Sequence, residues 1–459
     1  MNENVEQWRV RKPAVTSEGG VVAAQHGLAA RAGGDVLHAG GNAVDAAVAT
    51  AFALGAVEPW MCGVGGAGYM VVWLARERRA VALDFQGMLP GDVRLDDYPL
   101  DPDVPESLMG FPGVAGERNV RGHLSVLVPG AVAGLAHASA RFGELGLDRT
   151  LAPSLRLLER GLPVDWHATL MIALEAAKLA ADPAARAWFL PGGHPPGPER
   201  HLPNPALLAT YRAIAEDGPA AVYGGRIGEA MAADLQAGGS RLTLDDFRAY
   251  EVAEFDALAT THRGHAVYTA GPTSGGLRLA DALAHVGAHL DPVRGVGAHA
   301  WATYADALNL AFRRHKQRLG RTPPDAGCTS HLSAVDAEGN MVALTYTLLN
   351  RFGSGVVLPR TGVLMNNSVS YFDPRPGYPT TMRGHLKINA SNMCPTVAVK
   401  DGAARFALGA SGANHIVPCT FQLTALMLDF GLDLETAFHT PRVDASDRGS
   451  IRVDPRMGA

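Results

Sequence analysis

Residues 327–347 read GCTSHLSAVDAEGNMVALTYT, and this stretch decides the fold. Leu332 and Ala334 before residues 336–340, and the apolar run at 341–344 after them, form apolar patterns that are typical of β-strands. Gly339 and Asn340 provide the residues of a tight turn between the two runs. The stretch therefore predicts a β-hairpin, with Thr329 at the very start of its first strand.

A threonine at the start of a strand is usually an ordinary β-forming residue. Here a register about the turn could bring the hydroxyl of Thr347 beside Thr329, and residues 409–413 (GASGA) form a small-residue turn before a helix. If the chain cleaves itself between Cys328 and Thr329, the new α-amino group can serve as the base for the Thr329 hydroxyl. Backbone N–H groups at the 409–413 turn can hold an oxyanion. Together these features are typical of an N-terminal nucleophile (Ntn) hydrolase.

Several collinear segments resemble those of the γ-glutamyltransferase (γ-glutamyl transpeptidase) family. Residues 328–348 resemble the start of its small subunit, TTHYSVVDxxGNAVAVTYTL. The likeness extends over nearly the whole chain, through GGNAVDAA at 40–47, the glycine-rich 63–69, PGAVAG at 129–134, LTLDDFRAY at 242–250, PTSGG at 272–276 and MCPT at 393–396.

The resemblance implies a fold and a division of the chain. The expected fold class is α/β (α+β), the four-layer αββα sandwich of Ntn hydrolases with extra helices from the large-subunit portion. Residues 1–328 would form that large-subunit portion, and residues 329–459 the small-subunit portion that carries the nucleophile. After cleavage the two fragments would stay together as one globular αβ unit, so that each is the other's partner.

By the same resemblance, Thr329 is the nucleophile for both self-cleavage and turnover. Thr347 would orient it through a hydroxyl hydrogen bond, and Gly412 and Ala413 would supply the N–H groups of the oxyanion hole. His331 matches the histidine of the family's TTH sequence, and we interpret it as structural.

A rival hypothesis concerns the position of the scissile bond. Cleavage one bond earlier would make Cys328 the N-terminal nucleophile. The match of the spacing to Thr347 favours Thr329. Cys328 and His331 have no second pair of ligands nearby in the sequence, so we expect no zinc site.

The charged clamp that holds a γ-glutamyl donor in this family is altered. Gln86 stands where the family has the arginine of LDFRE, and Tyr371 where it has an aspartate. A buried amino-acid zwitterion needs opposite charges or several hydrogen bonds, because removing its water is costly. The sequence therefore predicts a donor other than a standard γ-glutamyl compound, with Arg351 as a substitute cation. By correspondence, the substrate-binding positions are Gln86, Leu349, Asn350, Arg351, Tyr371, Ser391 and Asn392.

Composition excludes several classes of function. The chain has 459 residues, is 47% hydrophobic and carries a formal net charge of -5, which argues against binding to nucleic acid or to an anionic membrane. Four cysteines without a close pair give neither a disulfide framework nor a metal signature. No cofactor is expected. The first residues lack an apolar secretory core, which predicts a cytoplasmic protein.

Residues 63–68 (GVGGAG) satisfy the G-x-G-x-x-G pattern of dinucleotide-binding loops. The context does not fit, because no strand is predicted before the pattern and a strand, not a helix, follows it. We interpret the glycines as a tight backbone turn near the active site.

Periodicity and capping residues predict the remaining elements. A linker containing proline at 321–326 suits an exposed cleavage loop. The expected helices are 27–39, 42–57 with Asn42 as its cap, 130–142, 147–161, 166–181, 206–217, 225–237, a short one that begins at Thr243 with Asp246 as its capping-box partner, two between Gly275 and about Leu319, and 412–430. The expected strands outside the hairpin are 20–26, 69–74, 80–85, 255–262, 265–270, 395–400 and 404–408.

Three hypotheses follow for function. The first is a self-activating threonine hydrolase or acyltransferase that cleaves an amide, or an activated C–C bond beside a carbonyl, in a small metabolite. The second is a genuine γ-glutamyl hydrolase or transferase, acting on glutathione-like compounds with a rebuilt clamp. The third is an unprocessed, non-catalytic homologue that kept the fold.

Overall fold

The computed structural model describes residues 13–107, 109–319, 329–446 and 450–457. The predicted linker at 321–326 and Cys328 lie outside the described residues. Within the described ranges, two antiparallel sheets pack face to face and helices cover their outer faces.

The strands of the described residues are β1 (Gly20–Ala24), β2 (Ala67–Leu74), β3 (Arg79–Phe85), β4 (Leu162–Val164), β5 (Arg200–Leu202), β6 (Ala253–Asp256), β7 (Leu258–His262), β8 (His265–Thr269), β9 (Ser330–Asp336), β10 (Met341–Thr347), β11 (Thr396–Lys400), β12 (Ala403–Leu408), β13 (Val443–Asp444) and β14 (Arg452–Val453). Among these residues, the first sheet has six strands in the order β1-β9-β10-β2-β3-β6, and the second has four in the order β12-β11-β8-β7. The short pairs β4–β5 and β13–β14 lie outside these sheets.

The α-helices of the described residues surround the sheets. They are α1 (Gly27–His38), α2 (Ala43–Val57), α3 (Ala131–Phe142), α4 (Leu147–Arg160), α5 (Trp166–Leu174), α6 (Ala176–Ala181), α7 (Pro183–Phe189), α8 (Pro205–Asp217), α9 (Arg226–Ala237), α10 (Leu244–Arg248), α11 (Gly276–His289), α12 (Ala298–Leu319), α13 (Ile416–Phe430) and α14 (Leu434–His439). In the described part of the chain, none of them is long and apolar enough to cross a membrane.

The side-chain alternation of the predicted hairpin divides the core into layers. Met341 and Ala343 of β10 lie in the apolar cluster between the two sheets, while Val342, Leu344 and Tyr346 face the cluster formed with α1 to α4. A third cluster packs α11, α12 and α13 against the outer face of the four-stranded sheet. The order helix, sheet, sheet, helix confirms the αββα sandwich.

Strands from both sides of residue 328 share the same sheets. β9 pairs with β1 and β10 pairs with β2 in the first sheet, and β11 pairs with β8 in the second. Each of the two large sheets therefore combines strands from before and after residue 328.

The GGNAVDAA segment is built to start a buried helix. Asn42 and Asp45 form a capping box at the N-terminus of α2, in which every residue is buried. The N–H of Ala43 donates to Asp336 Oδ2 at 2.9 Å, which ties the helix start to the turn of the β9–β10 hairpin. This motif therefore anchors the C-terminal end of β9, the strand that follows Thr329.

The glycine-rich segment 63–68 leads directly into β2, so a dinucleotide loop is excluded as predicted. A Cβ on Gly66 would lie 2.6 Å from the carbonyl oxygen of Thr347, and one on Gly68 would lie 2.4 Å from that of Thr345. Glycine is required here because the backbone of this segment lies against the end of β10.

Two predicted elements are divided in the structure. The expected helix 166–181 ends at Leu174 and restarts at Ala176, because Glu175 leaves the helical conformation and pairs with Lys178 at 3.0 Å. The expected strand 255–262 is split between β6 and β7, which belong to different sheets. The N–H of Ala257 donates to the carbonyl of Ala80 at the crossing point.

Candidate active site

Thr329 immediately precedes β9 and is buried, with 3% of its surface exposed. In the β9–β10 ladder, Ser330 lies opposite Tyr346 and His331 opposite Thr345. Continuing this register by one residue sets Thr329 opposite Thr347, and both then face the space between the two sheets. Directly opposed residues in antiparallel strands have Cβ atoms about 4.5–5.5 Å apart, which is within reach of two threonine hydroxyl groups.

The Thr347 hydroxyl is held by the backbone around it. It accepts a hydrogen bond from the N–H of Leu349 at 2.8 Å and lies 3.5 Å from the carbonyl oxygen of Met61. Leu349 has a φ of +83°, a conformation that non-glycine residues rarely adopt. The chain therefore turns sharply after β10 and fixes the hydroxyl of Thr347 in the process.

The small-residue turn at 409–413 packs against β9. A Cβ on Gly409 would lie 2.4 Å from the ring of His331. Gly412 and Ala413 have φ values of +116° and +47°, and Ala413 begins a single 3₁₀ turn that continues into α13. Ala413 thus adopts the left-handed conformation that glycine prefers, at a cost of about 1–2 kcal/mol. Gly412 and Ala413 are thus two successive residues with positive φ, shortly before the start of α13.

A chain of polar contacts supports this turn from below. Arg278, buried on α11, donates to Asn392 Oδ1 and to the carbonyl of Ser391, both at 2.6 Å. Asn392 in turn donates to Asn414 Oδ1 at 2.8 Å, next to Ala413. Asn392 therefore has a supporting position that connects the segment 391–393 with the turn. Sequence reasoning missed Arg278, although a lone arginine in the apolar pattern of α11 was a signal.

Gln86 lies fully buried at the end of β3. Its Nε2 is 3.4 Å from the sulfur of Met393, and its Oε1 has no hydrogen-bond partner among the described residues. The hydroxyl of Ser391 accepts the N–H of Met393 at 3.2 Å. The structure thus places Gln86 beside the segment 391–393, which contains Ser391 and Asn392.

Leu349 and Tyr371 are two further residues of the predicted substrate-binding set. Both are buried in an apolar cluster with Leu89, Val369 and Phe372. Their side chains supply apolar surface where the family resemblance implies an asparagine and an aspartate.

Arg351 points into a cleft of about 640 Å³ that also contains Asn350 and Met61. Its guanidinium lies 3.7 Å from Glu175 Oε1 and 3.7 Å from the sulfur of Met171. Arg351 therefore forms an ion pair with Glu175 on the wall of this cleft.

The same cleft contains Glu58 and Asp165, which sequence reasoning missed. Burial, with the nearby charge of Asp165, raises the pKa of Glu58 to about 7. The available signal was an acidic residue at the C-terminal end of the apolar helix α2, where the helix dipole disfavours negative charge.

Both ring nitrogens of His331 contact hydroxyl groups. Its Nδ1 is 2.8 Å from the Thr345 hydroxyl and its Nε2 is 3.0 Å from the Ser333 hydroxyl. Burial lowers its pKa to about 3, because an imidazolium would lose its water there. These contacts suit the structural role expected for it.

This gives a pH prediction. An unfolded chain binds a proton at His331 below its usual pKa of 6.5 and the folded chain does not, so His331 destabilises the protein as the pH falls from 6.5 towards 3. Between pH 6.5 and 5 the loss should be up to about 2 kcal/mol. Urea denaturation of the wild type and of His331→Gln at both pH values measures it. Glu58 acts in the opposite direction, but its effect cancels in the comparison, and equal pH dependence in the two proteins would contradict the prediction.

Comparison with known proteins gives a consistent result. A sequence model of the family described as gamma-glutamyltranspeptidase matches residues 29–324 and 314–459. The acylase ACY 1 proenzyme of Pseudomonas sp. (strain V22) is 33% identical over 471 residues, covering 94% of this chain and 83% of the relative. The glutathione hydrolase proenzyme of Escherichia coli (strain K12) is 29% identical over 481 residues, covering 93% of this chain and 81% of the relative. The solved cephalosporin acylase from Bacillus halodurans has a TM-score of 0.83 at 24% identity, covering 98% of this chain and 88% of that structure, and thus has the same fold.

Proposed function

Because the chain belongs to the γ-glutamyltranspeptidase family, we propose that it is a self-processing threonine acylase. It would hydrolyse an amide of a small metabolite, or transfer its acyl group, and this donor would not be a standard γ-glutamyl compound. The observation that carries the proposal is the register that sets Thr329 opposite Thr347 at the open end of the hairpin.

Self-processing would use the same hydroxyl as turnover. Thr329 Oγ attacks the carbonyl carbon of residue 328, the peptide C–N bond breaks, and the acyl group moves to oxygen as an ester. Water then hydrolyses this ester and leaves a carboxylate at residue 328 and a free α-amino group at Thr329.

In turnover the α-amino group takes the proton of the Thr329 hydroxyl as Oγ attacks the substrate amide. That proton passes to the departing amine, and an acyl ester remains on Thr329. The N–H groups of Gly412 and Ala413 would stabilise the oxyanion of each tetrahedral intermediate. Water or an acceptor amine then releases the acyl group.

The surroundings of Gln86 support a donor without an α-amino-acid zwitterion. Gln86 offers a neutral amide beside a thioether, and Tyr371 is enclosed by apolar side chains. Arg351, the substitute cation expected from the sequence, is paired with Glu175. An acylase among the relatives supports an amide as the bond that is cleaved.

One observation favours the second candidate, a true γ-glutamyl enzyme with a rebuilt clamp. Asp84 Oδ1 accepts the N–H of Gln86 at 2.9 Å and lies 4.0 Å from Lys387 Nζ. Burial raises the pKa of Asp84 and lowers that of Lys387. This pair could supply opposite charges to a zwitterion near Gln86.

Matched chromogenic donors separate the two candidates. The purified, cleaved enzyme is assayed with the p-nitroanilides of butyric acid, glutaric acid and γ-linked glutamic acid, with Thr329→Ala as the background control. We expect kcat/KM for the butyryl or glutaryl donor to exceed that for the γ-glutamyl donor by at least about tenfold, or 1.4 kcal/mol. A γ-glutamyl donor that is turned over fastest would reject our proposal and favour the rebuilt clamp.

A further inference from the structure

The cleft that contains Arg351 borders the candidate active site on two sides. Met61, on its lining, has the carbonyl that faces the Thr347 hydroxyl. Gln25, also on its lining, donates through Nε2 to the hydroxyl of Ser411 at 3.0 Å, one residue before Gly412. A substrate held at Thr329 could therefore extend into this cleft without crossing the protein core.

Glu58 is the unexplained residue of the cleft. Only 5% of its surface is exposed, and its Oε2 is enclosed without a hydrogen-bond partner among the described residues. Buried carboxylate oxygens are normally satisfied, since leaving one bare costs free energy. The C-terminal end of α2 adds an unfavourable dipole at the same place. A buried polar group that destabilises the ligand-free protein is typical of a ligand-binding site.

The charges around Glu58 identify the kind of ligand. Of the other carboxylates in the cleft, Glu175 is neutralised by Lys178 and Arg351, at 3.0 and 3.7 Å. In the described part of the chain, no ion pair joins Glu58 or Asp165 to a cationic side chain. Asp165 uses one oxygen to cap α5, where it accepts the N–H of Ala168 at 2.7 Å. Glu58 and Asp165 are thus two acidic groups of the cleft that form no ion pair with a cationic side chain of the described residues.

We propose that this cleft binds a protonated amine of the substrate or of the acyl acceptor, with Glu58 as its counter-ion and Asp165 as a second acidic group. The proposal rests on the proposed acylase function and names the chemical class that it uses. A primary ammonium has three donors, of which one can satisfy the bare oxygen of Glu58. An anionic group would be repelled by both acidic residues.

The walls of the cleft fit the carbon skeleton of such an amine. Trp166 is 67% exposed at the rim, and its ring lies 5.5 Å from that of His167. Met171 adds apolar surface to the lining, and the buried ring of Trp60 packs against His167 at 5.9 Å without lining the cleft itself. Aromatic rings beside an acidic group attract an ammonium ion through its charge as well as its carbon chain. A metal ion is a poorer candidate, because no group of three metal-ligating residues was found among the described residues.

The protonation state of Glu58 should make the binding of an amine depend on pH. With its pKa raised to about 7, Glu58 is mostly protonated at pH 6 and mostly ionised at pH 8. Only the ionised form attracts an ammonium ion, so amine affinity should rise by up to about tenfold over this range. Burial lowers the pKa of His26, which therefore stays neutral over most of it. The charged and titratable groups that face Glu58 or line the cleft are Cys62, Tyr346, His26, Asp165, His167, Glu175 and Arg351.

Benzylamine and benzyl alcohol test the proposal as a matched pair, since they differ mainly in charge. Their dissociation constants for the purified enzyme are measured by ligand-observed NMR at pH 6 and pH 8. At pH 8 we expect benzylamine to bind at least about tenfold more tightly, which corresponds to 1.4 kcal/mol. Equal binding of the two probes at pH 8, or binding of neither, would overturn the proposal.

Two variants locate the site. Glu58→Gln should reduce the preference for benzylamine at pH 8 to less than about threefold and remove its pH dependence. Asp165→Asn, which keeps a helix-capping side chain, should weaken benzylamine binding by about threefold, and it serves if Glu58→Gln does not fold. Glu229→Gln, on the exposed face of α9 outside the cleft, is the control and should bind like the wild type. Wild-type affinity in both cleft variants would refute the assignment.

These titrations involve no turnover. A failure to bind amines would therefore leave the p-nitroanilide result unaffected, and an enzyme without acylase activity would still reveal an ammonium site.

Discussion

A Thr329→Ala chain should stay a single polypeptide of 48.1 kDa, while the wild type separates into two bands on a denaturing gel. The methyl group of alanine cannot attack the carbonyl of residue 328, so no ester forms. Without cleavage there is neither a free α-amino group nor a hydroxyl at position 329. Donor turnover should therefore fall by at least about 1,000-fold, as it does when a covalent nucleophile is removed.

Two further variants test the need for a hydroxyl at position 329 and the position of the cleaved bond. Thr329→Ser keeps a hydroxyl and should be cut, although more slowly. Cys328→Ala should be cut at the normal site, and mass analysis of the smaller fragment should give residues 329–459. A fragment that starts at Cys328 in the wild type, or any cleavage of Thr329→Ala, would reject Thr329 in favour of the cysteine hypothesis.

Replacing Asp45 by alanine should destabilise the protein by about 3–5 kcal/mol. The side chain is fully buried and accepts the N–H groups of Asn42 at 3.0 Å, Glu144 at 2.9 Å and Leu145 at 3.2 Å. Alanine would leave three donors unsatisfied at once. It would also detach the start of α2 from the loop before α4. The same helix start is hydrogen-bonded to Asp336 in the hairpin turn, so that contact would weaken as well.

Urea denaturation followed by circular dichroism measures this loss. Asp45→Asn keeps one acceptor oxygen and should cost less than the alanine variant. Asp148→Ala removes an exposed acidic residue from the first turn of α4 and should change stability by less than about 0.5 kcal/mol. Equal midpoints for Asp45→Ala and Asp148→Ala would show that Asp45 is not the anchor inferred here.

The hairpin could be predicted because its determinants are local. Alternation with a period of two assigns each side chain to a face, and the turn between Asp336 and Met341 sets the register. Both are properties of adjacent residues, so the opposition of Thr329 and Thr347 followed from the sequence. The caps at Asn42 and Thr243 were readable for the same reason.

Elements that depend on distant partners were predicted less well. The apolar run at 166–181 contains no glycine or internal proline, and the break at Glu175 coincides with ion pairs to Lys178 and Arg351 that form in the folded cleft. The run at 255–262 contains no glycine or proline, yet Ala257 marks the passage from one sheet to the other. Nothing within either run specifies where its neighbours will lie.

The candidate site shows the same division. Family motifs identified Gln86, Ser391 and Asn392, which do come together, but they could not reveal that Arg351 is paired with Glu175. Glu58 and Asp165 are 107 residues apart in the sequence and become neighbours only through the packing of α2 beside the start of α5.

The sequence alone determined the hairpin, its buried helical support and the family to which the chain belongs, because strand period, turn chemistry and caps act between adjacent residues. The tertiary structure alone decided which acidic side chains of the cleft form ion pairs, as Glu175 does with Lys178 and Arg351. Burial and pairing depend on groups brought together from distant segments, and a linear pattern does not encode the distance between them.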